Sequence, residues 1–183
     1  NEALSQTLNQ KHRYQKSPLD QTLRFGTQTA RSLVKDPDPL VQAVLQAFAG
    51  PIEQYRSALG RDPEHPLSSR NIGPCHFTGA WSVRLHRLGF HVNHFHPEGW
   101  LSSAYYVDVP KEVEDENLKS GWIKFGEPRH AIPGASAEKY YQPRPGRLVL
   151  FPSTLWHSTL PFEDGERLVI AFDVALPQRR DGV

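Results

Sequence analysis

The sequence predicts a mainly β fold of the jelly-roll type with helices near its N-terminus. Sixteen prolines and thirteen glycines are spread between short apolar runs, which indicates many strands joined by turns and not a helical bundle. At 183 residues the chain is long enough for one domain with a hydrophobic core and too short for two domains of ordinary size. These observations favour a single β barrel built from short strands.

The N-terminal part is predicted to contain an arm and then a supporting helix. Residues 1–36 are polar with scattered apolar positions and are interpreted as the arm, while residues 37–183 form the single jelly-roll domain. The run Asp36-Pro37-Asp38-Pro39 signals a helix start, because aspartate can accept hydrogen bonds from the first amides and proline suits the first turn. Apolar residues then recur with the helical period, which predicts a helix at about 37–60, kinked or divided near Gly50-Pro51.

The strands that follow are predicted from alternating or continuous apolar runs. They cover residues 76–85, 101–110, 121–125, 147–152 and 167–174. A long loop is expected at 126–145, and loops of that length in compact domains often act as lids over a site.

Charge and cysteine content exclude several classes of function. With 21 basic and 20 acidic residues the net charge is +1, which gives no electrostatic basis for binding nucleic acid or an anionic membrane. No apolar run is long enough to span a bilayer. Cys75 is the only cysteine, so an intramolecular disulfide is impossible and a reducing, cytoplasmic location is expected. Because the chain begins at Asn1 and lacks methionine, it is expected to be part of a longer protein.

The stretch from residue 90 to residue 100 concentrates potential metal ligands. Successive side chains of an extended strand point to opposite faces, so His94 and His96 project to the same side and can share one ion. Further along the chain, His157 follows an apolar strand and Arg167 begins another. Two close histidines, a distant histidine and an arginine indicate a metal centre with a cation beside it.

Three histidines with a nearby arginine suit an iron(II) site that activates oxygen. Three protein ligands on one face of iron(II) leave the opposite positions free for a cosubstrate and O₂. If the cosubstrate is 2-oxoglutarate, its keto-acid end chelates the metal and its far carboxylate needs a planar, bidentate cation. Arg167 supplies such a group.

The motifs resemble those of the iron(II)- and 2-oxoglutarate-dependent oxygenases, most closely a bacterial branch with an HxHP motif. The segments that carry the resemblance are Asn93-His94-Phe95-His96-Pro97, Ser102-Ser103-Ala104-Tyr105-Tyr106-Val107, Leu148-Val149-Leu150-Phe151-Pro152-Ser153, Trp156-His157 and Arg167. The resemblance covers residues 80–174 and implies a double-stranded β-helix, that is, a cupin-like jelly roll. It also implies iron(II), with 2-oxoglutarate and O₂ as cosubstrates, succinate and CO₂ as products, and hydroxylation or oxidation of an unknown target.

Two ligand sets remain open, because most of that superfamily carries His-x-Asp or His-x-Glu where this chain has His94-Phe95-His96. In the first set His94, His96 and His157 are the catalytic metal ligands. In the second the motif is shifted to His96-Pro97-Glu98, and Glu98 replaces His94. The first is preferred, because Pro97 and Gly99 are expected to turn the chain away before Glu98.

The resemblance further implies that inward-facing residues of the strand after the first motif help to seat 2-oxoglutarate. Period 2 places Ser103 and Tyr105 on one face and Ser102, Ala104 and Tyr106 on the other. The offsets seen in relatives favour Ser103 and Tyr105, together with Arg167, as the residues that bind the cosubstrate.

Two alternative functions keep the same histidines. A zinc enzyme on a cupin-like barrel would also use three imidazoles around an open position, but it leaves Arg167 without a role. The second alternative is a jelly-roll binding module that has no catalytic activity. For the oxygenase, a protein or peptide substrate is slightly favoured over a small molecule, because related bacterial proteins often carry helical repeats upstream.

Overall fold

The computed structural model describes residues 1–12 and 21–177. The predicted arm between 13 and 20 and the end of the predicted domain, 178–183, lie outside the described residues. The helices are α1 (Glu2–Lys11), α2 (Pro39–Ala47) and α3 (Ala49–Leu59). The strands are β1 (Leu23–Gln28), β2 (His76–His91), β3 (Leu101–Asp108), β4 (Ile123–Phe125), β5 (Lys139–Tyr141), β6 (Leu148–Pro152), β7 (His157–Thr159) and β8 (Arg167–Ala175). The predicted mainly β fold with flanking N-terminal helices is confirmed.

The strands form two antiparallel sheets. The larger has the order β1-β2-β8-β3-β6 and the smaller the order β5-β4-β7. Side chains of both sheets share one apolar cluster, in which Ile123 and Phe125 of β4 pack with Tyr106 of β3 and Val169 of β8. The two sheets therefore face each other, and the space between them contains the candidate site.

Alternation along β8 shows how the larger sheet uses its two faces. Leu168, Ile170 and Phe172 join a core cluster with residues of the helices, and the Phe172 ring stacks on Phe48 at a centroid distance of 5.0 Å. The alternate residues Arg167, Val169, Ala171 and Asp173 line the cavity between the sheets. Both faces of this sheet are thus covered, one by helices and the other by the smaller sheet.

The predicted helix at 37–60 consists of two helices. Asp38 caps α2 by accepting hydrogen bonds from the backbone amides of Leu40 and Val41, at 2.9 and 3.3 Å. The division falls at Phe48, so Pro51 lies in the first turn of α3, where its missing amide hydrogen breaks no helical hydrogen bond. Gly60 ends α3 with a positive φ of 63°.

The described part of the predicted arm is integrated into the domain. Leu4 and Leu8, one helical turn apart on α1, are buried in the helix-covered cluster. Strand β1 pairs with β2 from Leu23 opposite His91 to Gln28 opposite Val83. The described residues of this arm thus contain a helix and a strand that pack against the rest of the domain. The predicted loop 126–145 also contains β5. No helix in residues 1–12 and 21–177 is long and apolar enough to cross a membrane.

Candidate metal centre and buried arginine

The backbone holds two of the candidate ligands together across the gap between sheets. His94 follows β2 and His157 begins β7, and each donates its backbone amide to the carbonyl of the other, at 3.0 and 2.9 Å. The His96 amide donates to the Ser153 carbonyl at 2.8 Å. Ligand nitrogens of His94, His96 and His157 consequently lie within 4.8 Å of one another. The structure thus brings together three imidazoles that could hold one metal ion.

The Nδ1 atom of each imidazole is already engaged by an acceptor. His94 Nδ1 lies 2.7 Å from the Val92 carbonyl oxygen, and His157 Nδ1 lies 2.9 Å from that of Leu155. His96 Nδ1 lies 2.8 Å from both carboxylate oxygens of Asp173. Because carbonyls and carboxylates only accept, each Nδ1 carries a proton, which leaves Nε2 as the nitrogen that could bind a metal.

Burial keeps the ligands in the form that binds metal. Desolvation lowers the pKa of His94 to about 4 and the pKa of His157 well below its ordinary value. Both imidazoles are therefore neutral at pH 7, as metal coordination requires.

Arg167 lies in the same cavity and has no anionic partner among the described residues. Its residue exposure is 2%. One terminal nitrogen donates to the Gly121 carbonyl at 2.6 Å and the other to Thr159 Oγ1 at 3.3 Å, while Nε has no partner. Burial lowers the pKa of the guanidinium, which indicates that its charge is poorly compensated. A buried charge of this kind calls for an anionic ligand.

The three imidazoles and Arg167 border one cavity of about 820 Å³. This volume is within the usual range for small-molecule sites. Tyr106 also lines it, and its buried hydroxyl has no hydrogen-bond partner among the described residues. Burial raises the Tyr106 pKa, so the hydroxyl stays protonated and can donate at neutral pH. A metal could therefore sit at one end of a ligand whose anionic end meets Arg167 and Tyr106.

The structure does not bring Tyr105 to this cavity. Its ring packs against Phe48 on the helix-covered face at a centroid distance of 5.0 Å, and its hydroxyl donates to Asn1 Oδ1 at 2.9 Å. Ser103 borders the cavity, but its hydroxyl is bonded to the backbone carbonyl and amide of Phe172 at 3.0 and 2.9 Å. The inward face of β3 thus presents Ala104 and Tyr106, the set that the sequence resemblance did not favour.

Phenylalanine at position 106 is expected to weaken 2-oxoglutarate binding about tenfold, because one hydrogen bond to a charged group contributes about 1.5 kcal/mol. The melting temperature of the ligand-free protein should not fall, since the lost hydroxyl has no hydrogen-bond partner in residues 1–12 and 21–177. Isothermal titration of 2-oxoglutarate into metal-loaded Tyr106→Phe measures the change. Tyr105→Phe is the matched control and should bind normally. If Tyr105→Phe weakened 2-oxoglutarate binding and Tyr106→Phe did not, Tyr105 would be the residue that binds the cosubstrate.

Glu98 lies at the edge of the cavity as an exposed residue. It is not in the group whose ligand atoms lie within 4.8 Å of one another. The chain after His96 passes through exposed Pro97 before it turns inward at buried Gly99 and Trp100. The placement therefore favours His94 over Glu98 as the companion of His96 and His157.

Changing Glu98 to glutamine is expected to leave metal affinity unchanged within about twofold, because the side chain lies outside the histidine group. Loss of even an outer partner of a metal ligand typically weakens binding by about tenfold to 100-fold, and loss of a ligand should weaken it at least as much. Competition titration with Co²⁺ under anaerobic conditions separates these results. A decrease of about tenfold or more would identify Glu98 as a ligand.

The sequence motifs did not reveal a carboxylate that contacts one of the three histidines. Asp173 lies on the inward face of β8, six residues after Arg167, and contacts His96. Period 2 counted from Arg167 would have placed it on that face. Ser102, its register partner on β3, donates to it at 2.6 Å. His91 also lines the cavity, and its ring stacks on His94 at a centroid distance of 5.8 Å.

Comparison with known proteins identifies the family. Residues 79–173 match the family described as "Putative 2OG-Fe(II) oxygenase", which is more than half of the chain. The chain belongs to the 2OG-Fe(II) oxygenase family. The oxygenase resemblance seen in the sequence is thereby confirmed, whereas placement in a branch with an HxHP motif stays a prediction. A search of curated proteins found no match.

Solved structures support the jelly-roll fold of this oxygenase. A prolyl-4-hydroxylase from Pseudomonas putida is 14% identical, with 96% of this chain and 85% of that chain covered and a TM-score of 0.60. A prolyl hydroxylase from Trichoplax adhaerens, in complex with a hypoxia inducible factor peptide, is 15% identical, with coverage of 94% and 76% and a TM-score of 0.60. HygX from Streptomyces hygroscopicus, with nickel, 2-oxoglutarate and hygromycin B bound, is 13% identical, with coverage of 95% and 77% and a TM-score of 0.60.

The residues present fit the groups that the family uses. Iron(II), 2-oxoglutarate and O₂ are the cofactor and cosubstrates of the family. The three imidazoles could supply three ligands to one ion, the number with which oxygen-activating iron sites leave positions open for a cosubstrate and O₂. Arg167 has no anionic partner among the described residues, and its Nε and the Tyr106 hydroxyl have no hydrogen-bond partner among them, so both side chains can donate to a carboxylate. A zinc hydrolase would use the histidines alone and would leave both donors without a role.

Proposed function

We propose that this protein is an iron(II)- and 2-oxoglutarate-dependent oxygenase that hydroxylates an unidentified substrate and releases succinate and CO₂. The observation that carries the proposal is that three imidazoles border one cavity with a buried arginine that has no anionic partner among the described residues. The histidines alone would also suit a zinc site, and the arginine alone would suit any site for an anion. Together they match a ligand that is both a metal chelator and a carboxylate.

Each side chain then has a defined task. His94, His96 and His157 would hold the ion through Nε2, while the Nδ1–H bonds fix the planes of the rings. Arg167 would bind the far carboxylate of 2-oxoglutarate, and Tyr106 would donate a further hydrogen bond to it. Bound iron(II) with 2-oxoglutarate supplies oxygen activation coupled to loss of CO₂. The apolar residues Ile123, Phe151 and Val169 line the cavity and would limit the water around a bound ligand.

The proposed substrate is a protein or peptide segment, ahead of a small molecule. Arg167 is the only lysine or arginine among the described residues that line the cavity, so the substrate group that enters is uncharged or cationic and not anionic. The half-buried Trp81 offers an aromatic surface on the β2 side of the cavity. The Trichoplax enzyme binds a peptide, which supports the same class here. A reducing, cytoplasmic setting remains a prediction based on the single cysteine, Cys75.

Titration of 2-oxoglutarate into iron-loaded and metal-free protein under anaerobic conditions tests the reaction. Binding is expected to depend on metal, because the keto-acid end needs the ion. Oxygen should then convert 2-oxoglutarate to succinate, slowly alone and faster with a substrate peptide from a digested proteome. Absence of 2-oxoglutarate affinity in the metal-loaded protein would remove the proposal. Stimulation by small molecules but by no peptide fraction would reverse the order of substrate classes.

A further inference from the structure

We propose that Asp173 is the carboxylate of this metal centre, held one hydrogen bond behind His96 instead of on the ion itself. The inference rests on the proposed function, because it assigns Asp173 a task only if the three histidines bind metal. Most of the superfamily carries a carboxylate where this chain has His96. The structure shows a carboxylate directly behind that residue.

The contact between His96 and Asp173 is well defined. Both carboxylate oxygens lie 2.8 Å from His96 Nδ1, so the imidazole donates to the carboxylate symmetrically. Ser102 donates to Asp173 Oδ1 at 2.6 Å, and Ser102 Oγ lies 2.9 Å from Ser153 Oγ. The Asp173 side chain is 13% exposed. The carboxylate is therefore held in place and shielded from solvent, which strengthens its effect on the imidazole.

Close packing against Ser153, which belongs to this network, requires glycine at position 99. A Cβ on Gly99 would collide with the hydroxyl of Ser153. Glycine at this position lets the chain after His96 pass directly over the serine. The His96 amide bonds to the Ser153 carbonyl at 2.8 Å, so the same serine positions both the histidine backbone and the network behind its ring.

His96 differs from the other two histidines in the charge of its partner. His94 and His157 donate to neutral backbone carbonyls, whereas His96 donates to a carboxylate. A hydrogen bond to an ionised acceptor is about twice as strong as one to a neutral acceptor and makes the imidazole a more basic ligand. His96 should therefore donate more electron density to the ion than His94 or His157.

Charge balance gives a second reason for the carboxylate. A divalent ion and Arg167 bring three positive charges into the cavity, and 2-oxoglutarate brings two negative charges. Three neutral imidazoles would leave one positive charge uncompensated in a buried site, which is unfavourable. Asp173 supplies the missing negative charge, as a coordinating carboxylate does where the motif is His-x-Asp. The positioning residue Asp173 thus replaces the absent ligand electrostatically.

Metal affinity of Asp173→Asn tests the inference directly, with Co²⁺ as the probe. Asparagine keeps the size of the side chain and can still bond to Ser102, but it removes the charge. We expect Co²⁺ binding to weaken about tenfold to 100-fold and the visible absorption of the bound Co²⁺ to shift. The matched control is Glu166→Gln, which neutralises an exposed carboxylate 2.7 Å from His86 Nδ1 on the surface, and it should have no effect. Ser102→Ala, which keeps the charge, should weaken binding less.

A charge-swap experiment distinguishes electrostatic compensation from a structural role. In a His96→Asp background the ion has its own carboxylate, and no imidazole remains through which Asp173 can act. Adding Asp173→Asn is therefore expected to weaken Co²⁺ binding much less there than in the wild type. A loss of equal size in both backgrounds would mean that Asp173 does not act through His96 and would overturn the inference.

The proposed function and the role of Asp173 can fail separately. Wild-type protein that binds no Co²⁺ would overturn the proposed function and this inference with it. Wild-type binding with unchanged affinity in Asp173→Asn would overturn the inference alone. Circular dichroism of each variant shows whether it is folded. If Asp173→Asn does not fold, the Co²⁺ affinity of Ser102→Ala tests the inference instead. Weakened Co²⁺ binding would then support the role of Asp173, and unchanged binding would oppose it.

Discussion

Methionine in place of Arg167 is expected to weaken 2-oxoglutarate binding at least about 30-fold while leaving metal affinity unchanged. The guanidinium is buried and has no anionic partner within the described chain, so its pairing with the far carboxylate would take place in a site shielded from water. Removing one partner of such a pair costs about 2 to 5 kcal/mol, and each 1.4 kcal/mol is about tenfold in affinity. Isothermal titration of 2-oxoglutarate and of Co²⁺ measures the two affinities independently.

Stability offers an independent check on Arg167. Because the buried charge of Arg167 has no anionic partner among the described residues, Arg167→Met should not lower the melting temperature of the ligand-free protein, despite the loss of the bond to the Gly121 carbonyl. Arg87→Met is the control: its side chain is 70% exposed, and neither affinity nor melting temperature should change. Loss of metal from Arg167→Met, or unchanged 2-oxoglutarate affinity, would contradict the role assigned to the arginine.

Alanine in place of His157 is expected to abolish both metal and 2-oxoglutarate binding. Since loss of an outer partner already weakens metal binding by up to about 100-fold, loss of one of three ligands should weaken Co²⁺ affinity at least that much. The backbone bonds between residues 94 and 157 do not involve the side chain, so the fold should persist. Anaerobic competition titration with Co²⁺ gives the affinity, and circular dichroism confirms folding.

His91→Asn is the matched control for His157→Ala. His91 lines the same cavity and stacks on His94, and its Nδ1 lies 3.0 Å from Thr22 Oγ1, a contact that asparagine can reproduce. Metal binding should survive, because His91 is outside the group of three. Equal losses in both variants would mean that general disturbance of the cavity, and not loss of a ligand, weakens binding. Arg167→Met and His157→Ala together separate cosubstrate binding from metal binding.

Much of the local structure followed from the sequence. The Asp38 cap, the helix end at Gly60 and the β-rich second half depend on short-range chemistry, and the structure contains each of them. The same-side projection of His94 and His96 also depends on neighbouring residues alone. The helix α1 and strand β1 were not predicted as separate elements, because few apolar residues mark them and their stability comes from packing and pairing with distant parts of the chain.

The choice between Tyr105 and Tyr106 shows what local periodicity cannot decide. Alternation divides β3 into two faces, but it cannot identify the inner face when both are buried. Helices cover the face that carries Tyr105, and the smaller sheet covers the face that carries Tyr106. An apolar pattern therefore marks both faces equally, and only the tertiary arrangement distinguishes them.

By itself the sequence determined the family, the mainly β fold and the residue types of the site, because these depend on motifs and on short-range periodicity. Only the tertiary structure decided that His157 meets His94 across the two sheets, that Tyr106 and not Tyr105 faces the cavity, and that Asp173 lies behind His96. Each of these contacts joins residues on different strands, and strand register is set by pairing and burial across the whole domain.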